Sequence, residues 1–538
     1  MIQSTAMQYK LVLPVSFLLL AAVACRQPGK NAAAKRSAVS RTIPGSFNPH
    51  SGIPLDSHRI SAFLEENPLF KPFARDFDTF YRNNQYNYAW YNKQGLIETA
   101  NALIGSLESV TQEGVTATIP YKDTLESLLH SPAVRKPAAP DLYTELMLTG
   151  EYFFYARNIW SGALNDKTDS VNWYIPRKQL SYASLLEQNL KTGTLADLSG
   201  PVVGPQYQGL KQTLAAYREA GTRQEVTVPA NPNARFGVND SADLVVPLRQ
   251  RLYQLGFTGD TTSGSRVYDT ALARVVRAAK ESFGLKADAS LTAAFIAELN
   301  IPLKQRIEQI MVNMERLRWI PADSSFGSEF ILVNIPEYRL HYFRNDRQVW
   351  DCGVVVGRPM TQTVVFSGKM QYVVFSPYWN VPPSIIEKEV KPGMKRNPNY
   401  LAAHNMEWNN GLVRQKPGPS NSLGLVKFLF PNSNNIYLHD TPAKSLFSED
   451  NRAFSHGCVR VADPKKLAML VLEDYPQWTP EAIDKAMHGG VEKTVVLKKK
   501  IPVYIGYFTA FVGANGKINF RKDVYKRDDQ LFRMLARD

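Results

Sequence analysis

The 538-residue sequence predicts a multidomain α+β protein, helical in its first half and β-rich in its second. Three observations predict this. At roughly 100–200 residues per domain the length asks for about three cores. Up to about residue 318 apolar side chains recur at three- and four-residue spacing, the period of a helix. Beyond residue 325 they recur in short β-branched runs broken by polar turns, the texture of strands. The composition, 44% hydrophobic and 21% charged, is that of a globular chain rather than a disordered one. A formal net charge of +14 favours an anionic partner or surface without choosing one.

Taken in order, residues 1–25 read as an export signal. Lys10 precedes an apolar core from Leu11 to Val23 that ends in small residues. The core is too short, and interrupted at Pro14, for a membrane span. Ala22-Val23-Ala24-Cys25 resembles a bacterial lipoprotein processing site, with Cys25 as the lipidated residue. Leucine is commoner where Ala22 stands, and plain cleavage is the competing reading. Several acyl chains on Cys25 would give a stable membrane anchor. Residues 26–50, rich in Ala, Ser, Lys and Arg, read as a flexible tether.

Residues 55–230 read as a helical scaffold. Phe73, Phe77, Phe80 and Tyr81 share a helical face, and so do Leu103, Ile104 and Leu107. The stretch from Pro229 to Arg235 reads as a boundary. Residues 238–302 read as a three-helix unit, with Gly256 and Gly284 closing its first two helices. A further helix is expected from Leu303 to Arg318. Strands follow over 325–510, with a hairpin turn at Asn345-Asp346. Within them 380–422, rich in Pro, Asn and Gly, is expected to be a long loop, either a lid over a site or a plain surface loop. Residues 511–538 are a C-terminal extension.

The chemistry concentrates in Ser455-His456-Gly457-Cys458-Val459-Arg460, with His439 lying 19 residues before the cysteine. A thiol with an imidazole in reach is the minimal kit for covalent acyl transfer. Cys458 is the candidate nucleophile and His439 the candidate base. An imidazolium beside the thiol would lower a pKa of ~8.5 by ~2 units at about 2.7 kcal/mol. On a strand Tyr437 and His439 share one face. His456, two residues from the thiol, is given an orienting or substrate-contact role. The backbone N–H of Cys458, with that of Gly457 or the Tyr437 hydroxyl, is the candidate oxyanion site. Gly457 admits close substrate approach, and Arg460 offers a fork for a substrate carboxylate. Ser455 joins the substrate-contact set. Asp440 or a backbone carbonyl orients His439. Cys352 reads as a packing residue, and no Cys or His cluster has zinc-ligand spacing.

These residues resemble the active-site signature of bacterial L,D-transpeptidases, the YkuD-type domain. The flanks agree, among them Val356-Gly357-Arg358, Tyr378-Trp379-Asn380-Val381-Pro382 and Tyr437-Leu438-His439-Asp440-Thr441-Pro442. The resemblance extends to the large subgroup with a helical scaffold and a peptidoglycan-binding domain ahead of the catalytic domain. Many relatives have Asn where Arg460 stands, and this subgroup tolerates Arg. The 238–302 unit departs from peptidoglycan-binding domains at Ala278-Ala279-Lys280-Glu281-Ser282, so it is either a wall binder or a spacer. The resemblance implies attack by Cys458 on the third-residue carbonyl of a peptidoglycan stem peptide, loss of D-alanine, and transfer to a neighbouring amine. It implies an exported, periplasmic enzyme without a metal or organic cofactor, acting on stem peptides and not on nucleic acid. It also implies that carbapenems acylate Cys458. Transfer to water or to an anchored protein, and a non-enzymatic wall-binding scaffold, are the alternatives.

Overall fold

The computed structural model describes residues 51–130, 140–164, 167–195, 204–230, 236–259, 264–320, 327–345 and 347–536. The signal, Cys25 and the tether lie outside these residues. No helix among the described residues is long and apolar enough to cross a membrane.

The N-terminal helices pack around Leu142–Ala156, which is buried on nearly every side. Asp141 caps it by accepting the Thr144 N–H. A helix apolar all round belongs inside a bundle. Phe70, Phe77, Tyr81 and Trp90 surround it. Its Glu145 carboxylate accepts the Ala89 and Trp90 N–H groups at 2.7 and 3.0 Å and the Tyr81 hydroxyl at 3.0 Å. The aromatic stripes of 55–190 are therefore core.

Helices Val245–Gln254, Thr270–Ser282 and Ala293–Leu299 make up the three-helix unit. Gly256 and Gly284 take the left-handed conformation, at φ +78° and +70°, that ends a helix. Lys280 is buried there, where it donates to the Asp288 carboxylate and to Ser290. The helix Leu303–Trp319 touches two cores. Its Ile310 and Met314 join the three-helix core, while Val312 and Trp319 join the β-rich one.

The β-rich part is a closed ring of eight strands: β1 (Glu329–Asn334), β2 (Arg339–Arg344), β3 (Arg347–Gly357), β4 (Val365–Phe375), β5 (Val426–Leu429), β6 (Leu438–His439), β7 (Val459–Val461) and β8 (Lys493–Gly506). Neighbours run β5-β6-β7-β3-β2-β1-β8-β4, and β4 returns to β5. β6–β7 and β8–β1 are parallel and the other pairs antiparallel. Closure leaves no long free edge. Asn345, at φ +51°, turns β2 into β3 with Arg344 opposite Arg347.

Two features differ from the sequence reading. The segment 380–422 is no loop. Strands Trp379–Asn380, Met406–Asn409 and Leu412–Gln415 form a small sheet, helical turns cover 383–396, and Val381, Ile386, Val390 and Val413 make a core of their own. Abundant Pro and Asn mark its turns and hide a sparse apolar set. The C-terminal extension is integral rather than appended. Its hairpin Ala510–Val512/Ile518–Phe520 packs into the three-helix core, and Leu531 and Leu535 of helix Asp528–Leu535 pack into the barrel core.

Candidate active site

The register of β6 on β7 builds the site. Leu438 lies opposite Val459 and His439 opposite Arg460 in a parallel pair, so Tyr437 falls beside Cys458. Parallel neighbours in register point their side chains to one face. Tyr437, His439, Cys458 and Arg460 thus share that face. The Tyr437 and His439 ring centroids lie 5.6 Å apart.

His439 is buried and its Nδ1 lies 2.5 Å from the Asp440 backbone carbonyl. A carbonyl only accepts, so Nδ1 carries the proton and Nε2 keeps a free lone pair. The orienting group is therefore the carbonyl. The Asp440 carboxylate is engaged elsewhere, by the Leu425 and Thr441 N–H groups and Lys444. Burial, and next the Arg460 guanidinium, hold the His439 pKa down at about 4. The imidazole is neutral at neutral pH. This corrects the expectation of an imidazolium beside the thiol.

Burial raises the Cys458 pKa, opposed by hydrogen bonds from the Tyr437 backbone and hydroxyl and by the Arg460 charge. The thiol sits 3.6 Å from the Asn435 carbonyl, to which it donates. Tyr437 is pushed well above the ordinary phenol range by burial and by the adjacent thiol. It stays a protonated donor. The other thiol, Cys352, is buried with its pKa pushed up to about 11, which suits packing.

The remaining motif residues divide. Ser455 is buried, and its hydroxyl donates to the Cys458 carbonyl at 2.5 Å and accepts the Gly457 N–H at 3.0 Å. It ties the loop. The Gly457 N–H is spent on that bond, which leaves the Cys458 N–H as the backbone donor for an oxyanion, while the Tyr437 hydroxyl bonds the thiol. Gly457 stands at φ +121°, a conformation only glycine adopts readily. A Cβ there would clear every neighbour by 3.7 Å, so backbone conformation rather than space demands the glycine. His456 Nε2 accepts from Arg358 at 2.7 Å and lies 3.3 Å from Glu389 of the 380–422 unit. Arg460 is half-buried and its Nε has no partner among the described residues. Burial lowers its pKa, and the nearby Arg358 charge adds to that.

Sequence reasoning missed the loop that braces this motif. Residues 358–364 join β3 to β4, and the Arg358 N–H and the Thr361 hydroxyl both donate to the Ser455 carbonyl at 3.0 Å. A Cβ on Gly357 would come within 2.1 Å of the Thr361 carbonyl oxygen, so only glycine starts this turn. That glycine was the one local signal available. It also missed Trp379, whose side chain hydrogen-bonds Tyr437 from the base of the 380–422 unit.

Comparison with known proteins matches two segments of the chain to families. Residues 328–503 match the YkuD family, the L,D-transpeptidase catalytic domain, and residues 75–214 match the Scaffold domain. A Haemophilus influenzae protein named "Putative L,D-transpeptidase" is 35% identical over 245 residues, 42% of this chain and 49% of that protein. The chain spans about half the length of that curated relative. Among solved structures, L,D-transpeptidases from Xylanimonas cellulosilytica and Stackebrandtia nassauensis are 14% and 11% identical. Each covers 52% of this chain, with 100% and 98% of the other chain matched, at TM-scores of 0.18 and 0.21. Mycobacterium tuberculosis L,D-transpeptidase 1 is 11% identical over 33% of this chain and 61% of its own, at a TM-score of 0.16. Residues 328–503 are a YkuD-type L,D-transpeptidase catalytic domain, and it follows a scaffold domain.

Proposed function

From a chain that carries an L,D-transpeptidase catalytic domain, we propose an exported enzyme that cross-links peptidoglycan stem peptides through a thioester on Cys458. The observation that carries this is the shared face of β6 and β7, with a thiol, a neutral imidazole fixed by its Nδ1–H, and a phenol donor.

The Cys458 proton turns from the Asn435 carbonyl to Nε2 of His439, whose free lone pair suits a general base. Sγ attacks the carbonyl of the third stem residue. The developing oxyanion takes hydrogen bonds from the Cys458 N–H and from the Tyr437 hydroxyl, which turns from Sγ as the new bond takes up the sulfur's charge. Collapse expels D-alanine, whose amine takes the proton from His439. An amine of a second stem then attacks the thioester, gives its proton to His439, and releases the cross-link and the thiol. Arg460, on the same face as Cys458, supplies a cation for a carboxylate near the scissile bond. Glu389 lies beside the Arg358–His456 pair, which sets the 380–422 unit against the motif, and that unit serves as a cap over the donor stem. Export and a lipid anchor at Cys25 would bring the site to the wall.

The test is incubation with purified disaccharide-tetrapeptide, read by mass spectrometry. A dimer lighter by one D-alanine is expected. Tripeptide alone would mean transfer to water. No mass change, or the same product from Cys458→Ala, would sink the reading.

A further inference from the structure

We propose that Thr363 is the positioning residue that aims the Cys458 N–H at the oxyanion, and that Tyr525 of the C-terminal segment holds it in place. The inference rests on the acyl-transfer reading above.

The Thr363 side chain is fully buried beneath the nucleophile loop. Its hydroxyl has a single proton, donated to the Gly457 carbonyl at 2.8 Å. The same oxygen accepts the Gly357 N–H at 2.9 Å. That carbonyl and the Cys458 N–H belong to one planar trans peptide, in which C=O and N–H point in opposite directions. Pinning the carbonyl toward the buried Thr363 turns the N–H the other way, toward the pocket. This N–H has no protein acceptor among the described residues. Gly457, at φ +121°, leaves this peptide free of Cβ restraint, so an external tie must fix its plane.

The tie is itself braced. The Tyr525 hydroxyl accepts the Thr363 N–H at 3.1 Å and donates to the Gly357 carbonyl at 2.8 Å. Gly357, Thr363 and Tyr525 close a hydrogen-bonded ring, all of it buried and charge-free. Arg527 adds a bond to the Gln362 side chain at 2.7 Å. A residue some 70 positions after the nucleophile thus helps set its oxyanion geometry. The step served is addition: the Sγ–C bond forms, the carbonyl π pair moves onto oxygen, and that oxygen takes the aimed N–H.

The test separates acylation, which needs the oxyanion donor, from alkylation, which does not. The full chain is treated with a carbapenem and, separately, with iodoacetamide, and each Cys458 adduct is timed by mass spectrometry. Thr363→Val keeps shape and loses both hydroxyl bonds. Acylation is expected to fall about 10- to 100-fold, somewhat less than removal of a whole oxyanion donor, with alkylation within about twofold of wild type. Thr363→Ser is expected to restore it. Unchanged acylation in Thr363→Val overturns the proposal. An equal loss in both reactions that Ser does not rescue also overturns it, since that is loop collapse. If Thr363→Val does not fold, Tyr525→Phe reads the same ring one step out. A selective loss of acylation of about 3- to 10-fold is expected there, and none would overturn the proposal. A wild type that carbapenem acylates but that leaves stem peptides untouched defeats the function proposed above and leaves this test intact.

Discussion

Burial and the Arg460 guanidinium hold His439 near 4, so at neutral pH it is a base waiting for a proton. The acid limb of kcat/KM is therefore expected near pH 4 rather than near 6.5. Arg460→Gln removes the second cause and is expected to move that limb upward, though still below 6.5 because burial remains. A profile from pH 3.5 to 8 reads both. The same shift enters stability. The unfolded histidine titrates near ~6.5 and the folded one near 4, so between them the unfolded state binds more protons. The contribution is complete above about 6.5 and is lost as pH falls to 4, about 3 kcal/mol in all. Cys458 alkylation tests the neutral pair directly. Its rate is expected to climb through pH 9 without a plateau at 5–8, and such a plateau would mean a preformed thiolate–imidazolium. Strand alternation alone put Tyr437 and His439 on one face, and the two rings lie 5.6 Å apart. Alternation says nothing of desolvation, so the imidazolium expectation failed. Thr363 was invisible because the barrel register, not sequence proximity, brings it to Gly457.

Helix Leu142–Ala156 hides an unusual cost. Glu151 is buried, both carboxylate oxygens lack a hydrogen-bond partner among the described residues, and burial pushes its pKa up to about 9. The folded state keeps the proton that the unfolded chain loses near 4.5, so stability falls as pH rises from there to 9. Glu151→Met is expected to stabilise the chain at pH 7 by up to about 3 kcal/mol and to flatten that slope, as denaturant titration at several pH values would show. The 380–422 unit carried a signal that composition masked. Asn410 and Gly411, at φ +50° and +79°, join strands Met406–Asn409 and Leu412–Gln415, and Asn-Gly is the favoured two-residue hairpin turn. Reading the whole stretch by its Pro and Asn content buried that dipeptide. A Cβ on Gly411 meets nothing within 4 Å, so Gly411→Val costs backbone strain alone, about 1–2 kcal/mol. Faster amide exchange is expected across 406–415, with the barrel strands unchanged.

At the scale of the molecule, sequence texture marked the helix-to-strand change at about residue 325, and the YkuD match spans 328–503. Packing does not respect that boundary. The barrel core includes Trp173, Val312, Trp319, Tyr525, Leu531 and Leu535, all outside the matched span. Strand Trp173–Tyr174 of the scaffold region pairs with β4 at Val365 and Phe366. Arg316 meets Asp528 at 2.7 Å in a nearly dry setting. Periodicity reveals that a segment is amphipathic but not which neighbour covers it, so these ties were illegible. Excising 325–510 leaves bare the barrel core that these residues cover. Each lost Leu or Trp contact face is worth roughly 1.5–3 kcal/mol, and several go at once. Their sum reaches the whole stability of a typical domain, about 5–15 kcal/mol. The fragment 325–510 is therefore expected to show no cooperative thermal transition by circular dichroism. The helical core is different, since its buried members run from Leu55 to Leu190 and, among the described residues, none comes from elsewhere. Residues 51–195 alone are expected to melt cooperatively. A cooperative melt for 325–510, or none for 51–195, would show that core membership does not decide what folds alone here.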